Sequence, residues 1–412
     1  MAFNPFDEKG IPAEKQAMSW TELNVQPYPA IEVPPYTRCR IILMNGAEVE
    51  AALFLHQFAR HTADLELKRH QALARRAEQQ QQKMVNWLIP KGENVLEVTI
   101  GYEQVAVDLT AWLARTEPDP YVKATLDFAL LEDFDHLYRY ANLMELEHGE
   151  KAERLVGDYT EIMPGRPTIA EHRHPFDDVR RFVDFQDAEL ITKLHIMTIV
   201  PAEQQTMNFY MNAGNRYASP LGRGLYLEIA QVEEQHVTHY ESLIDPKSSW
   251  LDRWVMHDYT EAYLYYSCME SEEVPRIKKI WEHMLEMEIG QLQADRKLIQ
   301  KMENRDPADM FPDGFPELTI FQSNKDYVRE VLENQVHLTA RETEYVPVGD
   351  LPRDFRFFKH QEMVNAGRYV PSQEVIRRNI EDSGEDYRFT TEGENPVKAL
   401  RVRDELPPKV AR

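Results

Sequence analysis

The sequence predicts an all-α protein built round a four-helix bundle, with additional N- and C-terminal helices and extended arms. Three observations carry that expectation. Long stretches lack proline and place apolar residues at helical spacing. Two helix starts of the same kind, a capping side chain followed by proline, stand one hundred residues apart at Asp119-Pro120 and Ser219-Pro220. Between the two halves lies a connection too long and too rich in proline and glycine for a hairpin turn.

Taken in order, residues 1–40 combine Pro27, Pro29, Pro34 and Pro35 with Trp20, Tyr28 and Tyr36, the composition of an extended segment lying over a surface. Residues 41–90 hold one long helix from Ile42 to Trp87, with Ala51, Leu53, Leu55, Phe58, Leu65 and Leu67 among its apolar positions and Gln79 to Gln82 as a solvated face. His56, His61 and His70 repeat no single face and read as solvated. Pro90 and Gly92 end this helix, and the next starts near Asn94 or Glu97 and runs to Arg115.

The bundle proper is expected over residues 91–248: two helical hairpins joined by the crossover 149–176, which contains Gly157, Pro164, Gly165, Pro167 and Pro175. Residues 249–305 add helices at Trp250 to Met269 and Pro275 to Met302, expected on the outside of the bundle. Residues 306–412 form a proline-rich arm with short helices near 326–333 and 372–380, wrapping its own core or a second subunit in a homodimer.

Composition excludes several functions. Seventy acidic against 47 basic residues leave a formal charge of -23, which disfavours nucleic acid or an anionic membrane as partner. Cys39 and Cys268 form no CxxC, so a zinc ribbon, a rubredoxin-type centre and a disulfide framework lack their residues. The amino terminus shows no basic stretch leading into an apolar run, and no eighteen-residue apolar segment occurs, so a cytoplasmic protein is expected.

The chemistry is in a repeated spacing. Glu103 precedes Asp133 by thirty residues and His136 follows three later; Glu203, Glu233 and His236 repeat both intervals. Positions three apart share a helix face, so each carboxylate and its histidine can face one ion, and the two copies suit a pair of divalent first-row metals. The [DE]xxH pattern alone is weak, since fourteen histidines and 70 acidic residues would give roughly two or three by chance. Glu145 with His148 and Glu171 with His174 are two such cases, with Arg115 and Ala141 thirty residues upstream. Glu132, one turn before His136, competes with Asp133 as ligand, and the matching interval favours Asp133. His239 has Arg139 at the equivalent place and is expected beside the site or at the surface. Tyr102, Tyr140, Tyr210 and Tyr240 are expected to be packing aromatics with bonded hydroxyls.

This arrangement resembles the ferritin-like di-metal carboxylate superfamily, the rubrerythrin- and ferritin-like four-helix bundles, over about residues 94–245. The resemblance implies Glu103 and Glu203 as single helix-borne carboxylates, with Asp133-His136 and Glu233-His236 as the paired ligands. It implies two iron ions, with manganese as the alternative, and an oxidoreductase that activates oxygen or a peroxide to act on a small organic substrate, with electrons from an external donor. An iron-handling or peroxide-protective protein, and a structural bundle with a decayed site, remain the alternatives. Aspartate at position 133, where the family usually has glutamate, is expected to leave the two metals with unequal surroundings.

Overall fold

The computed structural model describes residues 2–29, 33–367 and 369–402. Among them the chain is mostly helical. In order come α1 (Trp20–Leu23), α2 (Pro35–Arg60), α3 (Leu65–Asn86), α4 (Val95–Thr116), α5 (Pro120–His148), α6 (Glu153–Val156), α7 (Leu190–Ala213), α8 (Pro220–Glu241), α9 (Trp250–Ser271), α10 (Pro275–Glu303) and α11 (Lys325–Gln335). A small antiparallel hairpin of β1 (Leu338–Arg341) and β2 (Glu344–Pro347) follows, then α12 (Arg356–Val364) and α13 (Pro371–Ser383). No helix of the described residues is long and apolar enough to cross a membrane. The last ten residues of the expected C-terminal arm lie outside the described residues.

The chain divides into two compact units. The first comprises Met1–Glu93, Asp184–Ala202 and Asp245–Phe321; the second comprises Asn94–Val183, Glu203–Ile244 and Gln322–Arg412.

In the first unit α2 packs on α3 and on α9, and α9 packs on α10. Three expectations are corrected here. The helix foreseen from Ile42 to Trp87 is two helices, because Asp64 caps α3 by accepting from Leu67 N at 2.8 Å while Thr62 Oγ1 accepts from Asp64 N at 3.2 Å. Arg75 then donates to the Leu55 carbonyl near the end of α2. The helices of residues 249–305, foreseen as additions to the bundle, belong with α2 and α3 to the first unit. Part of the N-terminal segment lies along a helix, with Ile11 N donating to Glu286 O at 2.7 Å and Gln16 Nε2 to Met287 O at 2.7 Å, but the stretch expected to be extended also holds α1 and the start of α2 at Pro35. Gly290 permits this approach, since a Cβ there would stand 1.7 Å from the Ile11 carbonyl oxygen.

In the second unit the caps read from sequence are formed. Asn94 and Glu97 make a reciprocal capping box at α4; Asp119 accepts from Tyr121 N and Val122 N at α5; Ser219 accepts from Gly222 N at α8. α5 packs on α4 and α8, and α13 seals α5 and α8 from the side, so this part of the C-terminal arm covers its own unit. The core joins Leu130, Phe134, Leu137 and Tyr140 of α5 with Leu225 and Ile229 of α8 and Val375 and Ile376 of α13.

The irregular crossover is pinned to α5. Asp135 accepts from Gly165 N at 3.1 Å, Thr168 N at 2.8 Å, Thr168 Oγ1 at 2.7 Å and Arg139 Nε at 2.9 Å. Arg166 N donates to Leu131 O at 2.9 Å. Only glycine fits at 165, where a Cβ would lie 2.4 Å from the Leu131 carbonyl oxygen.

Candidate metal centre

All six sequence-selected residues converge inside the second unit, and none is more than 1 % exposed. α4 supplies Glu103, α5 supplies Asp133 and His136, α7 supplies Glu203, and α8 supplies Glu233 and His236. Their donor atoms form two groups that could hold a metal ion: Asp133, Glu203, Glu233 and His236, and Glu103, His136 and Glu233, with the atoms of each group within 4.8 Å of one another. Glu233 belongs to both. One of its oxygens, Oε1, lies 3.0 Å from His136 Nδ1, and the other, Oε2, lies 3.5 Å from His236 Nδ1. A carboxylate placed in this way can bridge two ions.

The two imidazoles are oriented alike. Each turns Nδ1 inward and Nε2 outward onto a carboxylate. His136 Nε2 faces Glu171 Oε2 at 3.0 Å, and His236 Nε2 faces Glu132 Oε2 at 2.9 Å. An outer carboxylate of this kind fixes the tautomer and ring orientation of a metal-ligating histidine and leaves the inner nitrogen free to donate its lone pair. The rings stand 5.9 Å apart, 27° from parallel.

Glu132 and Asp133 thereby separate. Asp133 Oδ1 lies 3.1 Å from His236 Nδ1 and 4.0 Å from His136 Nδ1, inside the cluster. Glu132 looks outward to a cationic wall: Arg166 Nη1 donates to it at 2.9 Å, Arg173 donates through both terminal nitrogens, and Arg173 Nε reaches Asp178 Oδ1 at 3.1 Å. Burial would raise the Glu132 carboxyl, but Arg173, His236 and Arg166 hold it well below the usual range.

Three of the four inner carboxylates behave oppositely; for Glu233 burial is outweighed by His136 and His236, which hold it at about 2. Burial first, then the negative charge of their neighbours, pushes Glu103 and Glu203 well above the usual carboxylate range, and burial raises Asp133. Both oxygens of Asp133 and of Glu203, together with Glu103 Oε2, Glu233 Oε2 and His236 Nδ1, make no well-formed hydrogen bond. Buried, unsatisfied donor atoms converging on one volume fit divalent cations, which would satisfy lone pairs and charge together.

The surroundings of the two groups differ, and the expected pairing of each carboxylate with its own histidine is corrected: Asp133 groups with His236, not with His136. The group containing His236 offers four residues and the group containing His136 offers three. Glu103, in the smaller group, accepts a hydrogen bond from Tyr210 on α7.

Four parts of this centre were not foreseen. Glu171 has Ala141 thirty residues upstream and so matches neither copy of the repeat, yet the fold delivers it to His136. Arg166 and Arg173 come from the same segment, and the Tyr210 hydroxyl meets a ligand. Only the basic residues Arg166 and Arg173 in an otherwise irregular crossover hinted at a buried role. His239 is buried, donates from Nδ1 to the Gln235 carbonyl at 3.0 Å and stacks near Phe128 and Tyr345, so it packs behind the centre. Tyr102 stacks on Phe209 as expected, whereas the Tyr140 and Tyr240 hydroxyls are buried without a hydrogen bond. Comparison with protein-family models, with curated proteins and with solved structures found no match.

Proposed function

We propose that this is a ferritin-like di-metal carboxylate protein, holding two iron ions, or manganese, and reacting with oxygen or a peroxide. The sharing of Glu233 by two buried ligand groups carries the reading, because a single mononuclear site has no use for a second histidine and a second single glutamate around a common carboxylate. Four carboxylates and two imidazoles suit iron or manganese, and such a pair supplies paired one-electron steps to a bound oxidant.

The chain's own residues then have defined tasks. Glu171 and Glu132 hold the two imidazoles with Nδ1 inward. Arg166 and Arg173 keep Glu132 ionised, so that its orienting hydrogen bond to His236 persists at low pH. Tyr210 donates to Glu103, restraining the ligand of the less crowded group. Complete burial excludes bulk water, and it favours an oxidant as small as O2 or H2O2 over direct contact with a large substrate. Among the two redox readings this favours peroxide protection or iron handling without an organic substrate. Electrons would come from an external donor, since Cys39 and Cys268 are buried and form no CxxC.

The test is anaerobic reconstitution with Fe(II), then exposure to O2 or H2O2 with optical spectroscopy. Absorbance changes with one or both oxidants are expected. A loaded protein inert to both would remove the redox reading.

A further inference from the structure

The first unit contains the same spacing in another form. Glu48 on α2 stands thirty residues before Glu78 on α3, and Gln81 follows three later. Asp258 on α9 stands thirty before Glu288 on α10, and Gln291 follows three later. These are the intervals of the two histidine-bearing hairpins, with glutamine in each histidine's place. Gln81, expected on a solvated face, is fully buried.

The geometry agrees with the spacing. Carboxylate oxygens of Glu48, Glu78 and Glu288 lie within 4.8 Å of one another, and all three side chains are 0 % exposed. Gln81 donates to Glu288 Oε1, and Gln291 Nε2 reaches the same carboxylate at 3.3 Å. Tyr265 donates to Glu48. Two further oxygen donors are buried without a hydrogen bond to the atoms concerned: the amide oxygen of Gln291, and both oxygens of Glu261, one turn beyond Asp258 on the same face of α9. Burial, and then the negative charges of Glu78, Glu288 and Glu48, raise the Glu261 carboxyl well above the usual range. Like-charged groups taken out of water need either protons or a cation.

We propose that Glu48, Glu78 and Glu288, supported by Glu261, Gln81 and Gln291, form a second site, specific for a hard divalent cation of the Mn2+ or Mg2+ class. The donor chemistry sets that class. Replacing both imidazoles by amides leaves an all-oxygen set, which suits Mg2+, Ca2+ or Mn2+ and disfavours zinc and copper. Near-octahedral Mn2+ and Mg2+ match a rigid helical cradle better than the six to eight ligands of Ca2+.

The test uses the full-length chain stripped with chelator and carrying Glu103→Gln and Glu203→Gln, so that the histidine-bearing centre is disabled. Mn2+ is titrated in, with the EPR signal of free Mn2+ as readout. Saturable binding is expected, with a thermal midpoint that rises with Mn2+ concentration. Adding Glu48→Gln and Glu288→Gln should weaken binding by more than about tenfold. Glutamine keeps the shape and removes buried charge, so circular dichroism should show unchanged helicity; if that chain fails to fold, Glu261→Gln alone serves, with the same direction expected. The proposal is overturned if the stripped chain binds no Mn2+, which would assign the cluster to shared protons, or if binding is indifferent to these substitutions. The histidine-bearing centre could fail its own test without touching this outcome, because its ligands are already disabled.

Discussion

Adjacent residues on α5 face different environments: Asp133 meets the inner nitrogens of the histidines, and Glu132 meets an outer nitrogen and two arginines. Their removal should therefore fail differently. Asp133→Ala is expected to lose metal with a smaller loss of stability, because its oxygens make no well-formed hydrogen bond and its close partner is His236 Nδ1 at 3.1 Å. Glu132→Ala leaves Arg166 and Arg173 facing a void and should cost roughly 3–5 kcal/mol, measured by denaturant unfolding of the metal-free protein. Glu171→Gln should lower metal affinity about 10–100-fold while keeping both ions bindable at high concentration, read by competition with a chelator. The ligands could be read from sequence because helix geometry turns a three-residue interval into a shared face. Glu171 could not, since in an irregular segment sequence distance says nothing about direction.

Among the elements, the helices around the centre start where their caps stand, and Asp119→Ala should cost about 1 kcal/mol in thermal unfolding. The crossover is held more strictly. Gly165→Ala would set a Cβ against the Leu131 carbonyl and the Asp135 amide, both helix backbone that cannot yield. A loss of about 1–3 kcal/mol is expected, with weaker metal binding because Arg166, Glu171 and Arg173 hang from the same segment. Proline and glycine marked the crossover and the bundle hairpins plainly. The break between α2 and α3 was hidden, since His61, Thr62 and Asp64 end one helix and start the next without either residue. The burial of Gln81 was hidden too: a run of four glutamines looks solvated until the partner helix is known to carry Glu288 and Gln291.

For the molecule as a whole, two helical units each enclose buried acids, the second with histidines and the first with glutamines. The all-α class was legible from periodicity. The partition was not, because the first unit pairs residues more than two hundred positions apart, Gln81 with Glu288 among them. Acid stability of the second unit should depend on its tail. Glu161 accepts from Arg329 Nε at 2.6 Å and Glu392 N at 2.7 Å, beside the bridge that pairs Ile162 with Phe389. Burial raises this carboxyl, but Arg329 and the backbone amides outweigh it and its value is lowered. A depressed carboxylate stabilises fully above its unfolded value, and that contribution is lost as pH falls from about 4.5 through the folded value. Tail proteolysis should therefore accelerate in that range, and Glu161→Gln should flatten the dependence.

The central claim is a coupled pair of metals around Glu233. Mössbauer spectroscopy of 57Fe-loaded, oxidised protein carrying Glu48→Gln and Glu288→Gln tests it most directly, with the histidine-bearing centre as the remaining site. The account predicts about two irons per chain as one exchange-coupled pair, lost together in Glu233→Ala. Magnetically isolated iron, or iron retained in full after Glu233→Ala, would contradict it.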